Sequence, residues 1–267
     1  APNTSTDRTI TLPDATDTLI GTATTDALTT RVNGTGGRKN MVYNGAMQVA
    51  QRGTSATSVS VSSYNVTDRW RFGNTTAGVY TISQSSESPD GFGFSQKLDC
   101  TTADASLAAG DGLMIQQRFE GVDLQSIAKG TSSAKQFTVS FYVKTNKTGT
   151  YQVNFYDLDN TRLVSGTYAV ANTNWNRYTV TFAADTTGAF TNDTNLSAQL
   201  EFWLAAGSNY TTGSTSTSWG ATSNVNRASS LNVNLSDNTS NEFHITGIQL
   251  EVGSVATDFE HRSYGEE

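Results

Sequence analysis

Apolar and polar positions alternate with a period of two along four stretches of this chain. Phe137, Val139, Phe141 and Val143 fall on one side of the first, and Tyr151, Val153 and Phe155 on one side of the second. Tyr178, Val180 and Phe182 repeat the pattern, as do Leu200, Phe202 and Leu204. Successive side chains of a strand point to opposite faces, so these residues predict the inner surface of two packed sheets. Further strand-like runs lie near 47–52, 69–72, 79–84, 95–100, 114–120, 136–144, 150–156, 176–183, 200–206 and 244–252, separated by turn-rich connections. Residues 123–129 predict a single helical turn closed by Gly130. The expected class is all-β, a jelly-roll or β-sandwich.

The opposite faces of the same strands carry amides and rings with few charges. They present Thr138, Ser140 and Tyr142; Gln152, Asn154 and Tyr156; Arg177, Thr179 and Thr181; and Glu201 with Trp203. Three uses fit such a surface. Aromatic planes stack on the C–H faces of sugars while amides and carboxylates meet hydroxyls. Tyr, Trp and Arg are also enriched where subunits meet, and a loop of the same chain could cover the face. As a carbohydrate site the candidates are Tyr142, Asn154, Tyr156, Glu201 and Trp203. Tyr210 and Trp219 join them from the long Ser/Thr/Gly-rich stretch 207–226, since long loops on a rigid scaffold commonly carry binding residues. A loop Trp can equally anchor its own loop.

Residues 1–37 differ from the rest. They hold no Trp, Phe or Tyr and only scattered aliphatics such as Ile10, Leu12, Leu19 and Leu28. A segment so poor in apolar bulk cannot build its own core, so it predicts an extended shaft or attachment segment, or else a flexible tail. Residues 38–267 then form the knob. Across the whole chain only 15% of residues are charged while 10% are aromatic, a balance that argues against disorder. The net charge of -7 shows no basic stripe for gripping phosphates, so nucleic acid is not an expected partner. The lone Cys100 forms no internal disulfide and suits a reducing compartment. No signal peptide or apolar run of spanning length is recognised, so neither secretion nor membrane insertion is expected.

Two phrases carry a resemblance. The closing one runs Thr246-Gly247-Ile248-Gln249-Leu250-Glu251-Val252-Gly253, then Ala256-Thr257-Asp258-Phe259-Glu260-His261-Arg262-Ser263-Tyr264-Gly265-Glu266-Glu267. It reads as a last strand, a turn, and a charged and aromatic peptide laid back over a sheet. The opening one is Asn44-Gly45-Ala46-Met47-Gln48-Val49-Ala50-Gln51-Arg52-Gly53, followed by Asp68-Arg69-Trp70. Both resemble fibre and appendage proteins of tailed bacteriophages, marine ones especially, that end in a carbohydrate-binding-module-like domain. Asp258 stands where that family usually has Pro. Residues 138–144 and 175–182 are similar to glycan-binding jelly rolls more broadly. The resemblance implies a virion protein assembled in the bacterial host cytoplasm. It also implies a homotrimer joined to other virion proteins through residues 1–37, with a host surface glycan as partner. It transfers no sugar site, because no matched phrase is a ligand-contact signature.

No catalytic chemistry is expected. His244 and His261 are too few for a histidine metal cluster, and neither a paired-cysteine motif nor a Gly-x-Ser-x-Gly elbow occurs. The acidic run Asp157-Leu158-Asp159-Asn160 could hold calcium, but lacks the Gly and Glu of a calcium loop and reads as a turn. No cofactor, no metal and no enzymatic activity are therefore expected. The leading expectation is a tail fibre or appendage subunit whose knob binds host glycans. The alternatives are a capsid-surface decoration or head-fibre protein and, less well supported, a polysaccharide depolymerase.

Overall fold

A computed structural model of the chain describes residues 38–267; the expected shaft or attachment segment, 1–37, lies outside the described residues. The strands are β1 (Ser55–Val59), β2 (Trp70–Asn74), β3 (Val79–Ser85), β4 (Ser95–Thr102), β5 (Gly112–Glu120) and β6 (Phe137–Thr145). They continue with β7 (Gly149–Asp157), β8 (Arg162–Val170), β9 (Asn176–Phe182), β10 (Leu196–Ala206), β11 (Gly220–Ala221) and β12 (Glu242–Val252). Sheet A has the order β1-β3-β4-β12-β6-β9, and sheet B the order β11-β8-β7-β10-β5-β2. All pairs are antiparallel. Among the described strands the chain crosses between sheets at eight of eleven successive connections, staying within one sheet from β3 to β4, β7 to β8 and β10 to β11. The result is a jelly-roll β-sandwich.

The alternating residues make the interior. Phe137, Val139, Phe141, Val143, Tyr151, Val153, Phe155, Leu200, Phe202 and Leu204 are buried, while Tyr178 is half-buried against the core. Rings reach across the gap between sheets. Phe141 of β6 meets Phe202 of β10 edge-on at 4.9 Å, and Phe137 of β6 meets Phe155 of β7 at 5.0 Å. Each such buried ring stabilises by about 2–3 kcal/mol through area removed from water. Cys100 is buried on β4, and burial raises its thiol pKa.

Two expectations about strands are corrected. Residues 47–52 are not a strand: the Asn44 side chain accepts from Val49 N and donates to Val49 O, wrapping this segment into a turn with Met47 in the left-handed region at φ 56°. Strands β1, β8 and β11 lie outside the expected runs, and β8 carries Gly166 in its middle. In the fold Gly166 permits close approach of β9: a Cβ there would lie 2.3 Å from Val180 Cγ1. The expected helical turn is a 3-10 segment, Gly121–Ile127, closed by Ala128 in the left-handed conformation, with Gly130 just beyond.

Candidate functional site

The outward face of sheet B holds most of the expected sugar-binding residues, and the chain itself covers it. Between the short helix α1 (Ser208–Thr211) and β12, residues 224–230 lie over β7 and β10. Gln152 Nε2 donates to the Asn226 carbonyl at 2.9 Å, and its Oε1 accepts from Ser230 N at 3.0 Å. Asn154 Nδ2 donates to the Arg227 carbonyl at 2.7 Å. Gln152, Asn154, Glu201 and Trp203 are all buried.

Arg227 is the centre of this cover. Its Nη2 donates to Glu201 Oε1 at 2.5 Å. Its guanidinium lies 5.2 Å from the Trp203 ring, 5.3 Å from Tyr156 and 5.9 Å from Tyr210. The second Glu201 oxygen accepts from Trp203 Nε1 at 3.1 Å and Asn154 Nδ2 at 3.3 Å. Burial pulls the Arg227 pKa down, but the charge and hydrogen bond of Glu201 outweigh it and hold the group above its ordinary value. Five of the seven expected site residues, Asn154, Tyr156, Glu201, Trp203 and Tyr210, therefore do come together, around a cation supplied by their own chain. Of the three uses open to this face, the geometry displays cover by a loop of the same chain, in the form of an internal cage. Arg227 was missed by sequence reasoning. The available signal was a single arginine inside a Ser/Asn-rich stretch, opposite an otherwise unexplained strand glutamate.

Trp219 lies apart from that cage, beside β11. Its Nε1 donates to the Ala183 carbonyl at 2.7 Å, and its ring meets Phe137 and Phe155. The buried Lys129 ammonium lies 4.9 Å from the same ring and pairs with Asp157 at 2.6 Å and Asp185 at 3.1 Å. Trp219 thus anchors its own loop, and the Asp157 carboxylate of the acidic turn is occupied by Lys129. Burial alone would raise the Asp185 pKa, yet hydrogen bonds from Arg162, Thr187 N and Lys129 hold it below the ordinary carboxylate value.

Tyr142 is on the other sheet. The outward face of sheet A is crossed by the C-terminal tail. Thr138 Oγ1 donates to the Gly253 carbonyl at 2.8 Å, and Arg177 Nη2 to the Thr257 carbonyl at 2.5 Å. Glu251 accepts from Thr257 N at 2.9 Å and Thr257 Oγ1 at 2.7 Å, and Gln249 Oε1 accepts from Glu260 N at 2.8 Å. Phe92 packs against Tyr142 at 5.3 Å, Phe259 at 5.0 Å and His261 at 5.2 Å, so Tyr142 is half-buried under an aromatic cluster.

The same tail closes on the opening segment. Lys39 N and Asn40 N both donate to Glu260 Oε2, at 3.0 and 2.8 Å. Asn40 Oδ1 accepts from Leu250 N at 3.0 Å and Val42 N at 2.9 Å. Buried Arg262 donates to the carbonyls of Asn40 and Val42. Gly45 passes so close to β12 that a Cβ would lie 2.1 Å from the Ile248 oxygen. Asp258 contributes its carbonyl, accepting from Lys39 Nζ at 2.6 Å. A Pro at that position would offer the same acceptor.

No protein-family model matches the chain, and no curated protein matches it. Solved structures do. The enzymatically active domain of tailspike protein 4 from bacteriophage CBA120 is 14% identical with a TM-score of 0.42, the match covering 80% of this chain and 21% of that one. A sugar-binding protein from Bacteroides thetaiotaomicron is 12% identical with a TM-score of 0.44, covering 80% of this chain and 100% of that one. The family 11 carbohydrate-binding module of a Clostridium thermocellum cellulosomal cellulase is 11% identical with a TM-score of 0.36, covering 73% and 97%. This chain thus spans about a fifth of the length of the tailspike domain.

Proposed function

We propose that this chain is a subunit of a bacteriophage virion appendage, a tail fibre or its equivalent, whose sandwich adheres reversibly to glycans on the host surface. Adhesion rather than cleavage is the proposed activity. One observation carries the reading. The two phrases that resemble phage appendage proteins are about 200 residues apart in the chain, yet Ile248 N donates to the Gly45 carbonyl at 3.0 Å and Asn44 N to Glu267 Oε2, while Asn40, just ahead of the opening phrase, adds hydrogen bonds to Leu250, Glu260 and Arg262, making one clasp. The resemblance therefore falls on a single structural unit rather than on two unrelated turns. A clasp of this kind ties the start of the sandwich to its end, which suits a domain held out from a particle and pulled on when it meets a cell. In a homotrimer, weak individual contacts would be multiplied by effective concentration.

The test has two arms. Antibody labelling of purified particles is expected to decorate appendages, and the purified chain is expected to bind host cells in competition with their own surface polysaccharide. Label confined to the head surface would instead assign it to capsid decoration. Absence from the particle, or cell binding unchanged after the surface glycans are oxidised away, sinks the proposal.

A further inference from the structure

An open cleft of about 350 Å³ lies where the loop before the edge strand β2 meets β5 and the start of β10. Arg52, Arg69 and Arg118 line it together with Tyr64, Glu120 and Leu196. Three arginines converge here on a protein whose net charge is -7.

Their charges are incompletely compensated. Arg52 is paired, with Asp68 at 2.8 Å, and its side chain remains 56% exposed. Arg69 lies over the Tyr43 ring at 4.8 Å, and Arg118 Nε donates to the neutral Gln116 Oε1 at 3.3 Å. Neither Arg69 nor Arg118 has an ion pair among the described residues. A fourth guanidinium, Arg71 on β2, stands close by: burial first and then the Arg118 charge lower its pKa. Arg69 is also held in the left-handed region at φ 71°, a conformation that costs a bulky residue energy and aims its side chain away from the regular strand path.

The remaining lining adds apolar surface and a carboxylate to the arginines. Tyr64 and Leu196 are exposed large apolar residues, 37% and 39% accessible, beside the arginines. An aromatic plane offers a stacking surface for the C–H face of a pyranose. Glu120 can accept from ring hydroxyls. Guanidinium forks match carboxylate and sulfate oxygens bidentately. The cleft is too small, and the rest of the surface too acidic, for a nucleic-acid track.

We infer that this cleft binds an acidic sugar unit of a surface polysaccharide, a uronate or a sulfated residue, with Arg69 and Arg118 on the anionic group and Tyr64 beneath the ring. The inference rests on the glycan-adhesion reading and names its substrate class. Binding of the full chain is measured against polygalacturonate oligosaccharides, which carry carboxylate without sulfate, keratan sulfate oligosaccharides, which carry sulfate without uronate, and neutral glucans, at low and high salt. One or both acidic series are expected to bind, with salt weakening but not abolishing the interaction. Which series binds decides between carboxylate and sulfate. Arg118→Gln and Arg69→Gly, the latter matching the positive φ, are each expected to weaken acidic binding about tenfold or more. Tyr64→Ala should weaken it several-fold, with all three variants still folded and unfolding in one cooperative thermal transition.

Acidic-sugar binding that keeps its full strength in Arg118→Gln and Arg69→Gly overturns the inference and leaves adhesion standing. Equal binding of inorganic polyphosphate marks a mere charge effect and also overturns it. Absence of binding to acidic and neutral series alike, while host cells are still bound, removes the acidic-sugar site without touching adhesion. Loss of binding to both sugars and cells removes adhesion itself.

Discussion

The two outward faces of this sandwich are both covered by the chain's own backbone, but they are sealed by different physics. Over sheet B the seal is a buried charge: Arg227 against Glu201, inside a cage of Trp203, Tyr156 and Tyr210. Over sheet A it is a series of hydrogen bonds in which the amides of Asn40 and Gln249 and the carboxylates of Glu251 and Glu260 bind backbone and hydroxyl groups of the tail and the opening segment. A buried ion pair concentrates its cost at one place. A set of hydrogen bonds spreads it over many. The first cover should therefore fail abruptly on one substitution, and the second should weaken in steps.

The largest effect is expected from Arg227→Ala, which leaves Glu201 charged, buried and unpaired. Such changes cost about 3–5 kcal/mol, to be read as a lower denaturation midpoint at unchanged slope. Replacing both partners, with Glu201→Gln and Arg227→Met together, should recover most of that loss. Failure of the double variant to recover would show that the cage is held by its rings rather than by the pair.

A smaller effect is expected on the other face. Asn40→Ala removes the acceptor for Leu250 N and Val42 N, and should cost about 2–3 kcal/mol by leaving buried N–H groups unpaired. Limited proteolysis should then release the tail before the sandwich unfolds. Global unfolding without earlier tail release would mean that the two covers are equally cooperative.

The smallest effect is a dependence on pH. His244 is buried on β12; burial lowers its pKa below 6.5, although Glu87 and Glu242 pull the other way. The unfolded chain takes up a proton near pH 6.5, as a free histidine does, and the folded chain resists it. Stability should therefore be fully present above about pH 6.5 and decline as pH falls below it. Asp185 and Glu242, whose pKa values are also lowered, add their own losses at more acidic pH. His244→Gln should flatten the slope between about pH 6.5 and 5; an unchanged slope in that window would assign it to another group.

Much of the fold was legible because period-two alternation is a local property. Phe137 to Val143 and Tyr151 to Phe155 announce an inner face within a few residues of chain. The folded-back tail was legible too, since a strand, a turn and a charged aromatic peptide follow one another directly. Strand β8 was not: it holds Gly166 at its centre, and the place of that glycine depends on Val180 of β9, a long-range neighbour that packs where a side chain would stand. The fate of the aromatic-amide faces was left open among interface, ligand and cover. Asn154, Glu201 and Trp203 have the same composition whether they meet a sugar or residues 226–230.

By itself the sequence determined an all-β chain with stacked sheets, an apolar-poor first segment, and a terminus that turns back. Those conclusions depend on short-range pattern and on how much apolar bulk a stretch contains. Only the tertiary structure decided that Arg227 fills the expected site and that Arg52, Arg69 and Arg118 converge on an open cleft. Both involve side chains brought together from different elements, where partner choice is set by sheet order and crossing connections rather than by any spacing along the chain.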